Sequence, residues 1–254
     1  NSTPFVVMER SSTPAIEASI CTSSARPSRT SGSPPVSRTR VIPSVAPIRT
    51  MSPDACIART GYTGGDGFEL FLPDRHAQRV WDLVVNTTKP LGGLPVGLGA
   101  RDTLRIEAGL RLYGTDMDAQ TDPMDAGLEW TVAINKPAFI GKDALVRQKQ
   151  TGRSRTFVGF EVQEGPIPRQ GMELTIEGRR VGVVTSGTFS PILNKALGMG
   201  YVEPSAAKPG TPLTLTVRNQ RYTATVVKLP FWKSAAKPPV PTGSRAPTLE
   251  KLHP

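Results

Sequence analysis

A period-two hydrophobic pattern between residues 155 and 229 constrains this chain more than any other feature of its sequence. Apolar and polar residues alternate in short segments that are separated by turn residues. The six segments are 157–162, 172–177, 181–186, 198–202, 213–218 and 222–229. An open flat sheet of such strands would leave its edges unpaired, whereas closure pairs them. The pattern therefore predicts a small six-stranded antiparallel β-barrel, or a sandwich, over residues 153–233.

The preceding residues, 54–152, mix helical and extended patterns. Short strands at 56–58 and 68–72 flank a glycine-rich loop. Apolar residues then recur three and four apart in residues 74–85, which predicts an amphipathic helix with Asp74 as its cap. Further elements are expected as helices at 100–110 and 141–150 and a strand at 130–134. The predicted fold class is α+β, a mixed α/β portion followed by the barrel.

Both ends of the chain have a composition that disfavours a packed core. Residues 1–53 are rich in Ser, Thr, Pro and Arg, and residues 234–254 are rich in Pro, Ser and Lys. Such segments bury too little apolar surface to offset the entropy lost on ordering, so we expect both to be disordered. The head is either an organelle transit peptide or a misread segment, and its residues leave both interpretations open.

The net charge of +10 would suit a protein that binds nucleic acid. Much of this charge, however, lies in the two ends, and the head has only Glu9 and Glu17 to oppose its arginines. No zinc-finger spacing, aromatic and basic signature or helix-turn-helix pattern accompanies the charge. We expect no specific nucleic-acid binding, and a basic protein that binds partners through its ends stays open as an alternative.

The cysteines and histidines restrict the chemistry further. Cys21 and Cys56 are too few for a disulfide framework, so two free thiols are expected. His76 and His253 are the only histidines, and no metal site is predicted. No apolar run approaches the length that crosses a bilayer, so no membrane association is expected.

Four ungapped motifs are more specific than these general features. They are RTGYTGGDGFEL (59–70), GLGARDTLRIEAGLRLYGTDMDAQTDPMDAGLEW (97–130), FIGKDAL (139–145) and VTSGTFSPILNKALGMGYVEP (184–204). In order and spacing they resemble the carboxy-terminal part of the aminomethyltransferase, or T-protein, of the glycine cleavage system. The resemblance covers residues 54–233, and LYGTDMD and TSGTFSP are closer to the transferase than to its folate-binding relatives.

The resemblance implies a reaction and its partners. A one-carbon unit would pass from an aminomethyl group on the lipoyl arm of a carrier protein to tetrahydrofolate, with release of ammonia. Tetrahydrofolate would be a substrate, and no metal is implied. The implied fold is a three-domain disc with folate in a central channel, of which residues 54–152 would form part of the folate-binding domain. The ending VVKLPFWK (226–233) looks bacterial, which favours a cytoplasmic location over the mitochondrial alternative.

The resemblance also places four folate contacts, at Tyr62, Glu69, Arg101 and Trp130. A carboxylate at Glu69 would accept both N–H groups of a pterin edge, although an exposed strand-edge Glu is the structural alternative. The ring of Tyr62 would pack on a flat ligand, or else within the core. Trp130 would stack on an aromatic ring of folate, with a core position equally open.

Arg101 falls in the first turn of a predicted helix, where the helix dipole disfavours a cation. An anionic ligand would relieve this cost, as would an ion pair with Asp102 or Glu107. Arg105, four residues on, shares the same helical face. Asp116 and Asp118, in contrast, are expected to hold their loop through bonds to the backbone and to have no catalytic role.

Two departures from the family pattern affect the expected activity. The family has Glu where this chain has Gly65. The family's catalytic Asp belongs to an amino-terminal half that has no counterpart in residues 1–53, so no catalytic residue is assigned. We expect a truncated, inactive form of the transferase. The alternative is a non-catalytic folate-binding or scaffold protein of the same superfamily.

Overall fold

The computed structural model describes residues 5–7, 48, 55–65, 67–218 and 220–233. The expected disorder of the tail, and of the head apart from residues 5–7 and 48, lies outside the described residues. The described chain forms two compact units. The first contains the residues up to Gly61 and those from Gly65 to Pro95, and the second contains 62–64 and the residues from Val96 onward. The domain boundary predicted at residue 153 stays a prediction.

The first unit combines a small sheet with one helix. Strands β1 (Phe5–Val7), β2 (Cys56–Ala58) and β3 (Gly67–Phe71) lie in the order β1-β3-β2, and β1 is parallel to β3. The expected disorder of the head stays a prediction, and within the head residues 5–7 are described as strand β1. Their short FVV segment pairs with the side of β3 that β2 leaves open, which satisfies backbone groups of β3.

Helix α1 (Asp74–Thr88) covers the first unit's core. Val80 packs in one cluster with Ile48, Ala55 and Leu70. The helix confirms the amphipathic pattern, but Asp74 is not its cap. Pro73 occupies the cap position, and Asp74 lies in the first turn, where its charge complements the helix dipole.

The second unit contains the predicted barrel. Its strands are β4 (Thr156–Val162), β5 (Glu173–Ile176), β6 (Arg179–Ser190), β7 (Lys195–Val202), β8 (Pro212–Val217) and β9 (Gln220–Val227). They close in the order β4-β7-β6-β5-β8-β9, and every pairing is antiparallel. The six-stranded antiparallel barrel is confirmed.

Close packing across the barrel core requires small residues. Phe160 on β4 is fully buried and lies opposite Gly198 on β7. A Cβ atom at Gly198 would overlap the Phe160 ring. The β5–β6 hairpin turns through Glu177 and Gly178, both with positive φ (51° and 82°), which is typical of a tight two-residue turn.

Helices α2 (Leu98–Glu107) and α3 (Lys142–Thr151) confirm the other two predicted helices. Between them, the strand predicted at 130–134 is wrong, because Glu129–Thr131 form a 3₁₀ turn. The backbone N–H and the hydroxyl of Thr131 both donate to the Leu128 carbonyl, and the N–H of Val132 donates to the carbonyl of Glu129. These local bonds use the backbone groups that a strand would pair.

Cys56 is disulfide-bonded, so the expectation of a free thiol is wrong for this residue. Among the described helices, none is both long and apolar enough to cross a membrane.

The Phe160–Gly198 contact gives a stability prediction. Gly198→Ala should destabilise the chain by about 1–3 kcal/mol, because the buried ring cannot move away from the added methyl group without strain. Gly99→Ala is the matched control: it lies in α2 with open space around it. That change should stabilise the chain by about 0.5–1 kcal/mol. Urea denaturation measures both, and equal midpoints for Gly198→Ala and the parent would contradict the packing described.

Candidate functional site

A cavity of about 500 Å³ lies within the second unit. Its walls are formed by Tyr62 together with α2, by the loop after α2, and by residues 168–170 and 185–187 of the barrel. The lining residues are Tyr62, Leu98, Arg101, Asp102, Arg105, Leu112, Thr115, Pro168, Arg169, Gln170, Thr185, Ser186 and Gly187. Its size is in the range of small-molecule sites, and its lining combines arginines with hydroxyl groups.

Helix α2 supplies one wall through a single face. Leu98, Arg101 and Arg105 recur at spacings of three and four, so they point to the same side of the helix. The expectation that Arg101 and Arg105 share a face is confirmed, since both line the cavity. The helix is joined to β6 by a hydrogen bond of 2.9 Å between the hydroxyls of Thr103 and Thr188.

Arg105 lies at the base of this wall, and its side chain is 3% exposed. Its Nη1 pairs with Asp116 Oδ2 at 2.5 Å and also donates to the Leu110 carbonyl. Its Nη2 donates to Ser186 Oγ at 2.8 Å, and its Nε pairs with Asp102 at 2.8 Å. One guanidinium group thus connects α2, the loop after it and strand β6.

Asp116 completes the same network, and its side chain is fully buried. Besides Arg105, its carboxylate accepts the backbone N–H of Leu112 at 2.9 Å and the hydroxyl of Thr185 at 2.5 Å. Asp118 likewise accepts the N–H of Gln120. The expectation that these aspartates hold their loop through backbone bonds is confirmed.

Tyr62 reaches the cavity from the glycine-rich loop. The Arg101 guanidinium lies 4.9 Å from the centroid of its ring, in a cation–π contact. The Tyr62 hydroxyl donates to the backbone carbonyl of Arg111. Burial raises the pKa of this hydroxyl above its ordinary value, so it stays protonated and keeps its donor role. Gly64, with φ of +72°, sits against Ala108, where a larger residue would not fit.

The two carboxylates that competed for Arg101 bind elsewhere. Asp102 pairs with Arg105, and the buried Glu107 accepts a hydrogen bond from the Ser190 hydroxyl. From the sequence, an ion pair with Asp102 or Glu107 was the structural alternative to a ligand contact at Arg101. The Arg101 guanidinium lies at the cavity wall, over the ring of Tyr62.

Glu69 lies in the first unit, on β3. This strand is central in its sheet and Glu69 is half-buried, so the alternative of an exposed strand-edge Glu is wrong. Its carboxylate accepts a hydrogen bond from the Thr60 hydroxyl. The carboxylate oxygens therefore have a local donor that orients them.

Trp130 does not join Tyr62 and Arg101 in the cavity lining. Its side chain is 80% exposed on the 3₁₀ turn, so the core position considered from the sequence is wrong. The neighbouring Glu129 pairs with Arg153 at 2.6 Å, which holds the turn. The folate contacts predicted at Tyr62, Glu69, Arg101 and Trp130 stay predictions.

Sequence reasoning missed several residues of the site. Thr185, Ser186 and Gly187 belong to the motif VTSGTFSP, but strand periodicity alone does not show that they face a cavity. Arg169 also lines the cavity and was missed, because the turn residues around it indicate a loop but not that the loop faces a cavity. Among the described residues, no group of three or more His, Cys, Asp or Glu side chains is arranged to hold a metal ion.

Comparison with known families gives matches on both sides of α3. The family model described as GCVT N-terminal domain matches residues 44–136. The model described as glycine cleavage T-protein C-terminal barrel domain matches residues 155–233. Together the two models cover more than half of the chain.

Similar proteins carry a consistent name. The aminomethyltransferase of Desulforamulus reducens is 51% identical over 177 residues, which is 70% of this chain and 49% of that protein. The aminomethyltransferase of Halothermothrix orenii is 49% identical over 178 residues, covering 70% of this chain and 50% of that protein. The chain spans about half the length of the curated relatives it matches.

A solved structure agrees with these matches. The crystal structure of glycine cleavage system aminomethyltransferase T from Bartonella henselae superposes with a TM-score of 0.66 at 38% identity. The match covers 71% of this chain and 50% of that structure.

The Arg105–Asp116 pair leads to a prediction. Asp116→Asn keeps the shape of the side chain but leaves a buried guanidinium without its buried counter-ion. The free energy of unfolding should fall by about 3 kcal/mol or more. Glu203→Gln is the control, because it breaks the exposed pair with Arg179 and should cost less than about 1 kcal/mol. Urea denaturation measures both variants. Equal losses of unfolding free energy would show that the buried pair stabilises the chain no more than the exposed pair does.

Proposed function

Because the chain belongs to the glycine cleavage T-protein family, the aminomethyltransferases, we propose that its cavity is part of a tetrahydrofolate site. The observation that carries this proposal is the pairing of Tyr62 with Arg101 at the cavity wall. A flat aromatic ring and a planar cation together suit a ligand with a flat ring system and an anionic tail. Tetrahydrofolate has both features.

The proposed reaction is the one that the resemblance to the aminomethyltransferases implies. A one-carbon unit passes from the aminomethyl group on the lipoyl arm of a carrier protein to tetrahydrofolate. Ammonia leaves, and methylenetetrahydrofolate forms. In this proposal tetrahydrofolate is a substrate, the lipoate-carrying protein is the partner, and a cytoplasmic location stays a prediction.

The individual roles follow from the positions of the side chains. Tyr62 offers its ring, since its hydroxyl already binds the Arg111 carbonyl. Arg101 offers its guanidinium edge to a polar or anionic group of the ligand. We propose that Glu69 accepts the pterin N–H groups and that the exposed ring of Trp130 stacks on folate. Arg105 and Asp116 hold the cavity wall.

We further propose that residues 54–233 do not complete the reaction by themselves. The resemblance assigns the catalytic aspartate to a segment that these residues do not contain. The buried carboxylate of Asp116 does not replace it in this proposal, because it is bonded to Arg105, to the Leu112 N–H and to the Thr185 hydroxyl. A non-catalytic folate-binding or scaffold protein is the alternative, and it shares the binding site but not the reaction.

A binding experiment tests the site. Glu69→Gln replaces one acceptor by a donor that faces a ligand donor, so tetrahydrofolate affinity should fall by on the order of 2 kcal/mol, about thirtyfold. Arg101→Lys keeps the charge but loses the planar fork, and affinity should fall as well. Isothermal titration of tetrahydrofolate into the purified chain, without oxygen, measures both.

The controls separate binding from folding. Glu177→Gln removes an exposed carboxylate at a hairpin turn of the barrel, and it should leave affinity unchanged. Thermal melts report any loss of structure. Unchanged affinity in both site variants would exclude these two residues as ligands, and a loss matched by a large fall in melting temperature would indicate a structural role.

An activity assay tests the second part of the proposal. The purified 254-residue chain, supplied with the aminomethylated lipoyl carrier and tetrahydrofolate, should release no ammonia above the rate without protein. Turnover would show that these residues contain a catalytic acid that the motifs did not reveal. A full-length bacterial aminomethyltransferase serves as the positive control for the substrates.

A further inference from the structure

Three arginines line the cavity, and they differ in what they bind within the protein. Arg105 is neutralised by Asp102 and Asp116. Arg101 lies over the ring of Tyr62. Arg169 is exposed, and no carboxylate of the described residues forms a salt bridge with it. Arg169 therefore has its positive charge available to a ligand.

The backbone that carries Arg169 is held firmly against the barrel. Pro168 packs on Gly187 of β6 so closely that a Cβ atom at Gly187 would overlap the Pro168 carbonyl. On the other side, the N–H of Gly171 donates to the Val184 carbonyl at 2.9 Å, and the N–H of Val184 donates to the Met172 carbonyl at 2.9 Å. The turn around Arg169 thus continues the hydrogen bonding of β6, and its guanidinium extends from a fixed point of the cavity wall.

The charge balance of the cavity favours an anion at this point. Asp102 is the one carboxylate among the lining residues, and it is already paired with Arg105. We propose that Arg169 is a specificity-determining residue that binds the carboxylates of the tetrahydrofolate tail, while the flat ring lies towards Tyr62. This inference rests on the proposed folate site, and it adds the direction in which the ligand lies and the residue that recognises its anionic end.

A thermodynamic cycle of two ligands and two proteins isolates the contact between Arg169 and the tail carboxylates. The ligands are tetrahydrofolate and its tail diamide, in which both tail carboxylates are carboxamides of the same shape. The proteins are the purified chain and Arg169→Gln, titrated by calorimetry without oxygen. Tetrahydrofolate should bind Arg169→Gln about fivefold more weakly, the upper range for an exposed ion pair. The diamide should bind both proteins equally, and Arg169→Lys should recover part of the loss for tetrahydrofolate.

Arg221→Gln is the matched control for charge. Arg221 is an exposed arginine on β9 that does not line the cavity, so its loss should change neither affinity. If Arg169→Gln weakens both ligands equally, or weakens neither, the tail contact is overturned while the folate site stands. If the wild-type chain binds neither ligand, both the tail contact and the proposed folate site are overturned.

Discussion

The buried ion pair between Arg105 and Asp116 is the interaction on which the geometry of the second unit depends. Moving two charges out of water costs several kcal/mol per ion, so such a pair persists only where further hydrogen bonds satisfy both groups. Here the guanidinium binds Asp102, the Leu110 carbonyl and Ser186 in addition to Asp116. Asp116 in turn accepts from Leu112 and Thr185. The pair therefore fixes a helix, a loop and a barrel strand at one point.

The same residues border the cavity beside the barrel. Two hydrogen bonds, Thr103–Thr188 and Arg105–Ser186, join helix α2 to strand β6. Arg105, which holds the wall, is paired with Asp102 and Asp116. Arg169, in contrast, forms no salt bridge with a carboxylate of the described residues, which is why we propose it for ligand recognition.

The sequence predicts the regular parts of this structure well. Alternation identifies the barrel most clearly along β6, β8 and β9, where buried residues alternate with more exposed ones. Strands β4 and β7 are buried along nearly their whole length. The strand ends were less accurate: β6 extends from Arg179 to Ser190, beyond the predicted 181–186, since its last residues pair with β7 and not with an alternating apolar face. Trp130 was misplaced because a 3₁₀ turn depends on local bonds that apolar patterns do not reveal.

The candidate site was predictable only in part. The motifs identified Tyr62 and Arg101, and helical spacing placed Arg105 on the same face as Arg101. No local rule pairs Arg105 with Ser186, eighty-one residues apart in sequence, because only the closed barrel brings them together. The pairing of residues 5–7 with β3 was missed for the same reason.

We propose that tetrahydrofolate binds in the cavity that α2 and β6 line. The most direct measurement is a crystal structure of the purified chain grown with a stable reduced folate such as 5-methyltetrahydrofolate. We expect electron density for the pterin ring beside Tyr62 and Arg101, with the carboxylate tail at Arg169 and the Arg105–Asp116 pair unchanged. Ligand density elsewhere on the chain, with this cavity occupied by water alone, would contradict the proposed folate site.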